Sequence, residues 1–293
     1  MQRIRHLWSE GALLAPAVIL LLVFVIAPFF LSGYLSFTNE RLIPRPVPSQ
    51  WVGWRNYSRV LTDPDFWQAV RNTFYFTLMV VPFQCAISLG AALLLNKKLA
   101  GLTFFRSVAM LPLLAPITVI IAIWAALYQV PNGFFNTAVN LVTRDDRIVD
   151  FLGSRDLAMP AIVLLSAWAS FPFQMLIYLA GLQEIPEDRY EAATLEGANA
   201  WQQFKAITWP GLINVNIFVL IITTVQAFKL FTQINILTKG GPLGSTNTII
   251  NYMFVNGYSE GRIGFASAVS VLFFILVAVI AVIQRLVFKN ENE

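Results

Sequence analysis

The stretch Ile263–Gln284 reads IGFASAVSVLFFILVAVIAVIQ, 22 residues without an Asp, Glu, Lys or Arg, bracketed by Arg262 and Arg285. A helix rises 1.5 Å per residue, and about 20 mostly apolar residues cross the hydrocarbon core of a bilayer. Five further charge-free stretches of comparable or greater length precede it: Gly11–Asn39, Asn72–Asn96, Ser107–Thr143, Leu157–Gln183 and Ala206–Phe228. The six occupy more than half of the 293 residues and account for a composition that is 57% hydrophobic and only 12% charged. Average soluble chains carry roughly twice that charge. The expected fold is all-α, a polytopic membrane protein with six transmembrane helices.

This arrangement excludes several functions. The connections are short, which leaves no room for a soluble catalytic domain, so a single transmembrane domain over residues 1–293 is expected. No Gly-x-x-x-x-Gly-Lys-Ser/Thr cradle for ATP phosphates is present. One cysteine, Cys85, and one histidine, His6, exclude a disulfide or a protein-built zinc site. A formal charge of +4 is no sign of a nucleic-acid partner. The six stretches contain no carboxylate, whereas proton- or sodium-driven carriers depend on buried ones. Energy is therefore expected to enter through another chain, and this one is expected not to be an enzyme.

Arg3 and Arg5 precede the first apolar run, but the run reaches Phe37, well beyond a signal-peptide core. It is expected to remain as the first span. Basic residues are denser on the shorter connections that share a side with the termini, which places both termini in the cytoplasm. The first outer connection, 38–66, carries Pro44, Pro46 and Pro48, then Trp51, Trp54 and Tyr57, aromatic residues suited to the membrane surface. Asp63-Pro64-Asp65 reads as a helix start. Pro112 and Pro116 are expected to kink the third span.

Between the fourth and fifth stretches lies Ile185–Leu212, IPEDRYEAATLEGANAWQQFKAITWPGL. Pro186 suits a first helical turn, and Glu187 and Asp188 complement the positive helix end. A short helix to about Leu195 is expected, then a turn at Gly197 with positive φ, then a second short helix, 198–206. Ala192 and Ala193 leave one patch of the first helix nearly bare for close approach of another protein, with Glu191 adding a charge beside it.

Glu191-Ala192-Ala193, Gly197, Ile207 and Trp209-Pro210, at these spacings, resemble the EAA loop of binding-protein-dependent ABC importer permeases. Glu196 stands where the family prefers Asp, and Trp209 where it prefers Leu. Gly53-Trp54-Arg55-Asn56-Tyr57, the run Leu179–Pro186, Leu237–Pro242 with its Gly-Gly-Pro, and Gly264–Ala268 are similar to blocks of the carbohydrate-uptake subgroup. Within it, the Gly-Gly-Pro block resembles the maltose- and glycerol-3-phosphate-like permease. The resemblance implies the type I ABC importer permease fold in a bacterial plasma (inner) membrane, with an EAA coupling loop at about 184–206. It implies a second homologous permease, two ATPase subunits holding ATP and Mg, and an external solute-binding protein as partners. This chain itself would bind no cofactor. It also implies ATPase coupling through Glu191, Ala192, Ala193 and Gly197.

Ser166, Ser170 and Phe173 fall at i, i+4 and i+7 in the fourth stretch, and Thr223, Gln226, Ala227 and Leu230 at i, i+3, i+4 and i+7 across the end of the fifth. Hydroxyls, an amide, an aromatic ring and small residues suit a sugar. By register the two faces match the segments that line the sugar site in the maltose-type importer that the chain resembles. Ordinary helix packing, in which Ser and Thr act as glue, is the competing reading of each residue. Alternatives to a carbohydrate importer are the same architecture carrying a polyamine or amino acid, a secondary carrier, and a membrane scaffold.

Overall fold

The computed structural model describes residues 14–43, 48–97, 101–145 and 147–289. Arg3, Arg5, His6, Pro44, Pro46 and Lys98 lie outside the described residues. All regular elements described are helical, apart from one isolated bridge between Thr38 and Trp51. In chain order they are α1 (Leu14–Leu35), α2 (Arg55–Thr62), α3 (Pro64–Leu95), α4 (Leu102–Leu114), α5 (Ile117–Leu127) and α6 (Phe134–Thr143). There follow α7 (Ala158–Gln183), α8 (Glu187–Leu195), α9 (Ala200–Gln203), α10 (Ile213–Phe228), α11 (Thr232–Leu237), α12 (Ile249–Phe254) and α13 (Ile263–Lys289). Five stretches are long and apolar enough to cross a membrane: α1, α3, α7, Ile213–Leu237 and Ile263–Leu286.

The sixth expected span is a bent pair of helices. Helices α4 and α5 pass the same length and composition test only as a pair, and they meet at 100°. The expected kink is thus a full break with a local cause. Pro116 has no N–H to give and stands extended at φ −57°, ψ 139°, and the residue before it, Ala115, is pushed out of the helical region to ψ 138°. Pro112, one turn earlier, is accommodated inside α4. The charge-free stretch Ser107–Thr143 therefore folds as α4, α5 and α6. The expected fifth span is also displaced: Phe204–Thr208 is a π-helical turn after α9, and the membrane stretch runs from Ile213 through a pause at residues 229–231 to Leu237.

By packing, the chain divides into two compact units. The larger holds Trp67–Asn251 and the residues from Val277 onward, and α7 is at its centre, packed against α4, α5 and α10. Small residues permit this. A Cβ on Gly181 would lie 2.6 Å from Val215 Cγ2 and 3.1 Å from Leu212 Cδ2, so the side chains at the start of α10 pack directly onto the glycine of α7. After α11 comes the Gly-Gly-Pro block, a stapled loop. The Thr238 and Thr246 hydroxyls share a 2.7 Å hydrogen bond, and Asn72 Nδ2 donates to the carbonyls of Gly244 and Asn247.

The smaller unit holds the described residues up to Phe66 together with Tyr252–Leu276. Its α1 buries almost nothing of its own apolar surface, whereas the connection after it is tightly bonded. Asn56 Nδ2 donates to Ser36 O and Thr38 O, and the Tyr57 and Ser36 hydroxyls share a 2.7 Å hydrogen bond. Phe37 stacks on Trp51 at 5.1 Å and meets Trp54 and Tyr57 edge-on or tilted. Tyr252 donates to Asp63 at 2.6 Å. Burial, reinforced by that hydrogen bond, pushes the Tyr252 phenol far above its ordinary value, so it remains the donor at physiological pH.

Candidate functional site

Two groups of residues in the larger unit carry the chemistry. The first is the loop after α7. Pro186 sits immediately before α8, and Glu187 and Asp188 fill the helix's first turn. The helix ends in a Schellman closure: Gly197 N donates to Thr194 O (3.0 Å) and Ala198 N to Ala193 O (2.9 Å), with Gly197 at φ +83°. A capping box follows at once. Asn199 Oδ1 accepts from Gln202 N, and Gln202 Oε1 accepts from Asn199 N. The next helix is shorter than the expected 198–206 and passes into the π-helical turn. Tyr190 and Thr208 share a 2.9 Å hydrogen bond, and Gln203 donates to Thr194 Oγ1, which ties α8 to the chain that leads into α10.

Held in this way, α8 has no buried residue of its own. Glu191 and Ala192 are exposed, Ala193 is half-buried, and Leu195 is 90% exposed. Leu195 and the two alanines thus lie on the outer face of α8. A cavity of about 1080 Å³ opens alongside, lined by Glu184, Glu187, Tyr190 and Glu191 on one wall and by Lys97 and Arg106 on the other. Trp209 is joined to α9: Trp201 stacks on Phe204 at 5.5 Å, and Phe204 meets Trp209 at 6.1 Å.

The second group lies between α7 and α10. Gln174 is fully buried. Its Nε2 donates to Thr223 Oγ1 at 3.3 Å and to Gln226 Oε1 at 3.4 Å, and its Oε1 has no protein partner. The structure thus brings Thr223 and Gln226 together through a residue the sequence reading did not single out. The argument that favoured Gln226, an amide deep in a span needing partners, applies equally to Gln174, four residues after Ser170. Ser170 is half-buried and Phe173 is 37% exposed. Ser166 lies eight residues from Gln174 along α7, buried, with no partner for its Oγ. Ala227 and Leu230 lie elsewhere, in an apolar cluster with Phe76, Val80, Met159, Ile162, Val163, Ala167 and Ile234. Because α10 stops at Phe228, the i+7 register does not reach Leu230, which stands in the following turn.

The polar set is neutral throughout. Gln84 Nε2 is a further buried amide without a partner, and Ser88 on the same helix donates to Phe171 O of α7 at 3.1 Å. Such a set can exchange hydrogen bonds with hydroxyls; it offers no charge for an ion. Among the described residues, no group of three His, Cys, Asp or Glu side chains converges to hold a metal.

Comparison with known proteins identifies the family and the fold. The family described as binding-protein-dependent transport system inner membrane component matches residues 64–290. The trehalose/maltose transport system permease protein MalF of Thermococcus litoralis is 36% identical over 265 residues, covering 90% of this chain and 88% of that protein. The sulfoquinovosyl glycerol transport system permease protein SmoG of Agrobacterium fabrum is 34% identical over 280 residues, covering 96% and 90%. A chain from the crystal structure of a bacterial ABC transporter involved in import of the acidic polysaccharide alginate superposes with a TM-score of 0.87 at 20% identity, covering 100% of this chain and 99% of that one. The expected all-α permease fold holds, and the chain belongs to the family of inner-membrane components of binding-protein-dependent transport systems.

Proposed function

We propose that the chain is one permease of an ATP-driven carbohydrate importer, supplying half of the translocation pathway and one docking helix for an ATPase subunit. The observation that carries the substrate class is the neutral row Gln174, Thr223 and Gln226 inside the spanning helices. Its amides and hydroxyl suit a ligand rich in hydroxyl groups, and the relatives named for trehalose, maltose and sulfoquinovosyl glycerol support the same class. A second, homologous permease would complete the pathway, and an external solute-binding protein would deliver the sugar. ATP and Mg would stay on two cytoplasmic ATPase subunits.

In this mechanism α8 is the transmitting part. Closure of the ATPase subunits would move Ala192, Ala193, Leu195 and Glu191 as one body, because the Schellman closure and the capping box leave the helix little freedom at its end. The Tyr190–Thr208 bond and the close packing at Gly181 would pass the displacement to α10 and α7, which carry the polar row.

The test is reconstitution with the partner subunits and a panel of sugar-loaded binding proteins. ATP-dependent uptake and stimulated ATPase activity are expected with at least one sugar, and with no polyamine or amino acid. Gln226→Leu should reduce uptake roughly three- to tenfold, the loss of about one net hydrogen bond. Ser170→Trp, a steric block beside Phe173, should reduce it further with the complex still assembled. Unchanged uptake in both variants would remove the pathway from these faces.

A further inference from the structure

The smaller unit contains a cavity of about 780 Å³ lined by none of the residues proposed for the pathway or the coupling loop. Arg41, Arg55, Arg59 and Arg262 line it together with Glu40 and Asp63. Arg262 pairs with Glu260 at 3.0 Å, and Asp63 accepts from Tyr252. Arg41, Arg55 and Arg59 are exposed and form no ion pair among the described residues. Arg55 and Arg59 stand one turn apart on α2, a like-charge spacing that destabilises a helix when nothing lies between the charges. The helix cannot turn them away, because its other face is fixed by the Asn56 and Tyr57 hydrogen bonds. The cations of the whole connection, Arg41, Arg45, Arg55 and Arg59, include no lysine. Arginine's planar fork matches an oxyanion in a way that an ammonium group does not.

Depth selects the oxyanion. Glu40 and Arg41 come within six residues of the end of α1, Arg59 and Asp63 within five of the start of α3, and Arg262 directly precedes α13. Glu40 follows the charge-free stretch that ends at Asn39 and Arg262 precedes the one that starts at Ile263, which sets that end of the cavity at the level of the headgroup layer, about 5–8 Å thick on each side of the hydrocarbon core. Its surroundings agree: Trp51 and Trp54 are 63% and 71% exposed, as expected of an aromatic belt, and Ile43 beside Arg41 is 79% exposed.

We propose that this cavity binds the headgroup of an anionic phospholipid, with Arg55 and Arg59 on the phosphodiester and the acyl chains along Ile43 and the tryptophans. The proposal rests on the functional reading above only for the leaflet, which that orientation makes the outer one. The assembled transporter, delipidated in a non-ionic detergent, is titrated with phosphatidylglycerol and read by native mass spectrometry. The wild type should hold a phosphatidylglycerol adduct whose apparent affinity falls at least tenfold in Arg55→Gln/Arg59→Gln and is unchanged in Lys229→Gln, an exposed cation outside the cavity. Equal affinity in wild type and double variant overturns the site. So does displacement of the lipid by inorganic phosphate at equal concentration, which would mark a free-anion site. Loss of affinity for the solute-binding protein with the adduct retained overturns it in favour of a protein-docking surface. The adduct is measured without transport, so failure of the importer reading leaves it readable. Ser58→Cys with Cys85→Ser should react with an impermeant maleimide from outside; reaction from the cytoplasm alone overturns the leaflet and the orientation, and leaves the adduct standing.

Discussion

Gly264→Val should leave little folded chain in the membrane and no assembled transporter. Gly264 lies in the first turn of α13, and a Cβ there would run into the Thr38 carbonyl oxygen, with the Leu35 carbonyl oxygen 3.2 Å away. Both obstacles are backbone, so no side-chain rotation relieves them. The close approach is also bonded: Gly264 N donates to Glu40 O, and Leu42 N donates to Gly261 O, each at 3.0 Å. A valine must push the chain after α1 away from the start of α13. That loses bonds worth about 0.5–1.5 kcal/mol each, added to an overpacking cost of about 1–3 kcal/mol. The sum is a large part of the 5–15 kcal/mol that holds a typical domain together. Gly264→Ala should fall between, since its single methyl already meets the carbonyl. Gly90→Ala, where nothing lies within 4 Å, is the control and should be neutral. Yield in the membrane fraction and the aggregation temperature of the solubilised complex measure the effect. Equal values for Gly264→Val and wild type would mean that this contact is not as drawn.

Gly264 also shows how far a sequence reaches. It opens the Gly-Phe-Ala-Ser-Ala block that marks the family resemblance, yet the reason for a glycine there is a carbonyl more than two hundred residues earlier. Local signals fared better. Pro186, the acids after it and Gly197 define α8 with only its own neighbours involved, and the helix ends at Leu195 as expected. The prolines of the third stretch told of a bend but not of its 100°, because proline spacing marks where a helix breaks and not the angle at which the next one leaves. The polar row was half legible. Thr223 and Gln226 share a helix face by spacing alone, whereas Gln174 joins them only once α7 and α10 are side by side. Periodicity likewise carried the face on to Leu230, although the helix ends two residues before it.

Gly197→Val should assemble normally and transport poorly, by tenfold or more, with ATPase activity no longer linked to the sugar-loaded binding protein. The valine meets no steric wall, since nothing lies within 4 Å of the Cβ position. The cost comes from the backbone alone. At φ +83° an L-residue loses about 1–2 kcal/mol relative to the right-handed region, and a β-branched one is an outlier there. That strain sits outside any core, so it cannot unfold the chain; it is relieved by opening the closure at Thr194 and Ala193 or by running the helix on past Leu195. Either way Ala193 and Leu195, the surface proposed to meet the ATPase, shift or lose their mounting while the spans stay intact. Gly197→Asn separates this cause from others, because asparagine tolerates the left-handed region and is a natural helix terminator. It should restore most of the coupling despite being larger than glycine and as hydrophilic as the surroundings. Wild-type uptake in Gly197→Val would show that the end of α8 does not transmit the ATPase stroke. Equal loss in Gly197→Asn would shift the cause from backbone angle to the bareness of the docking surface itself.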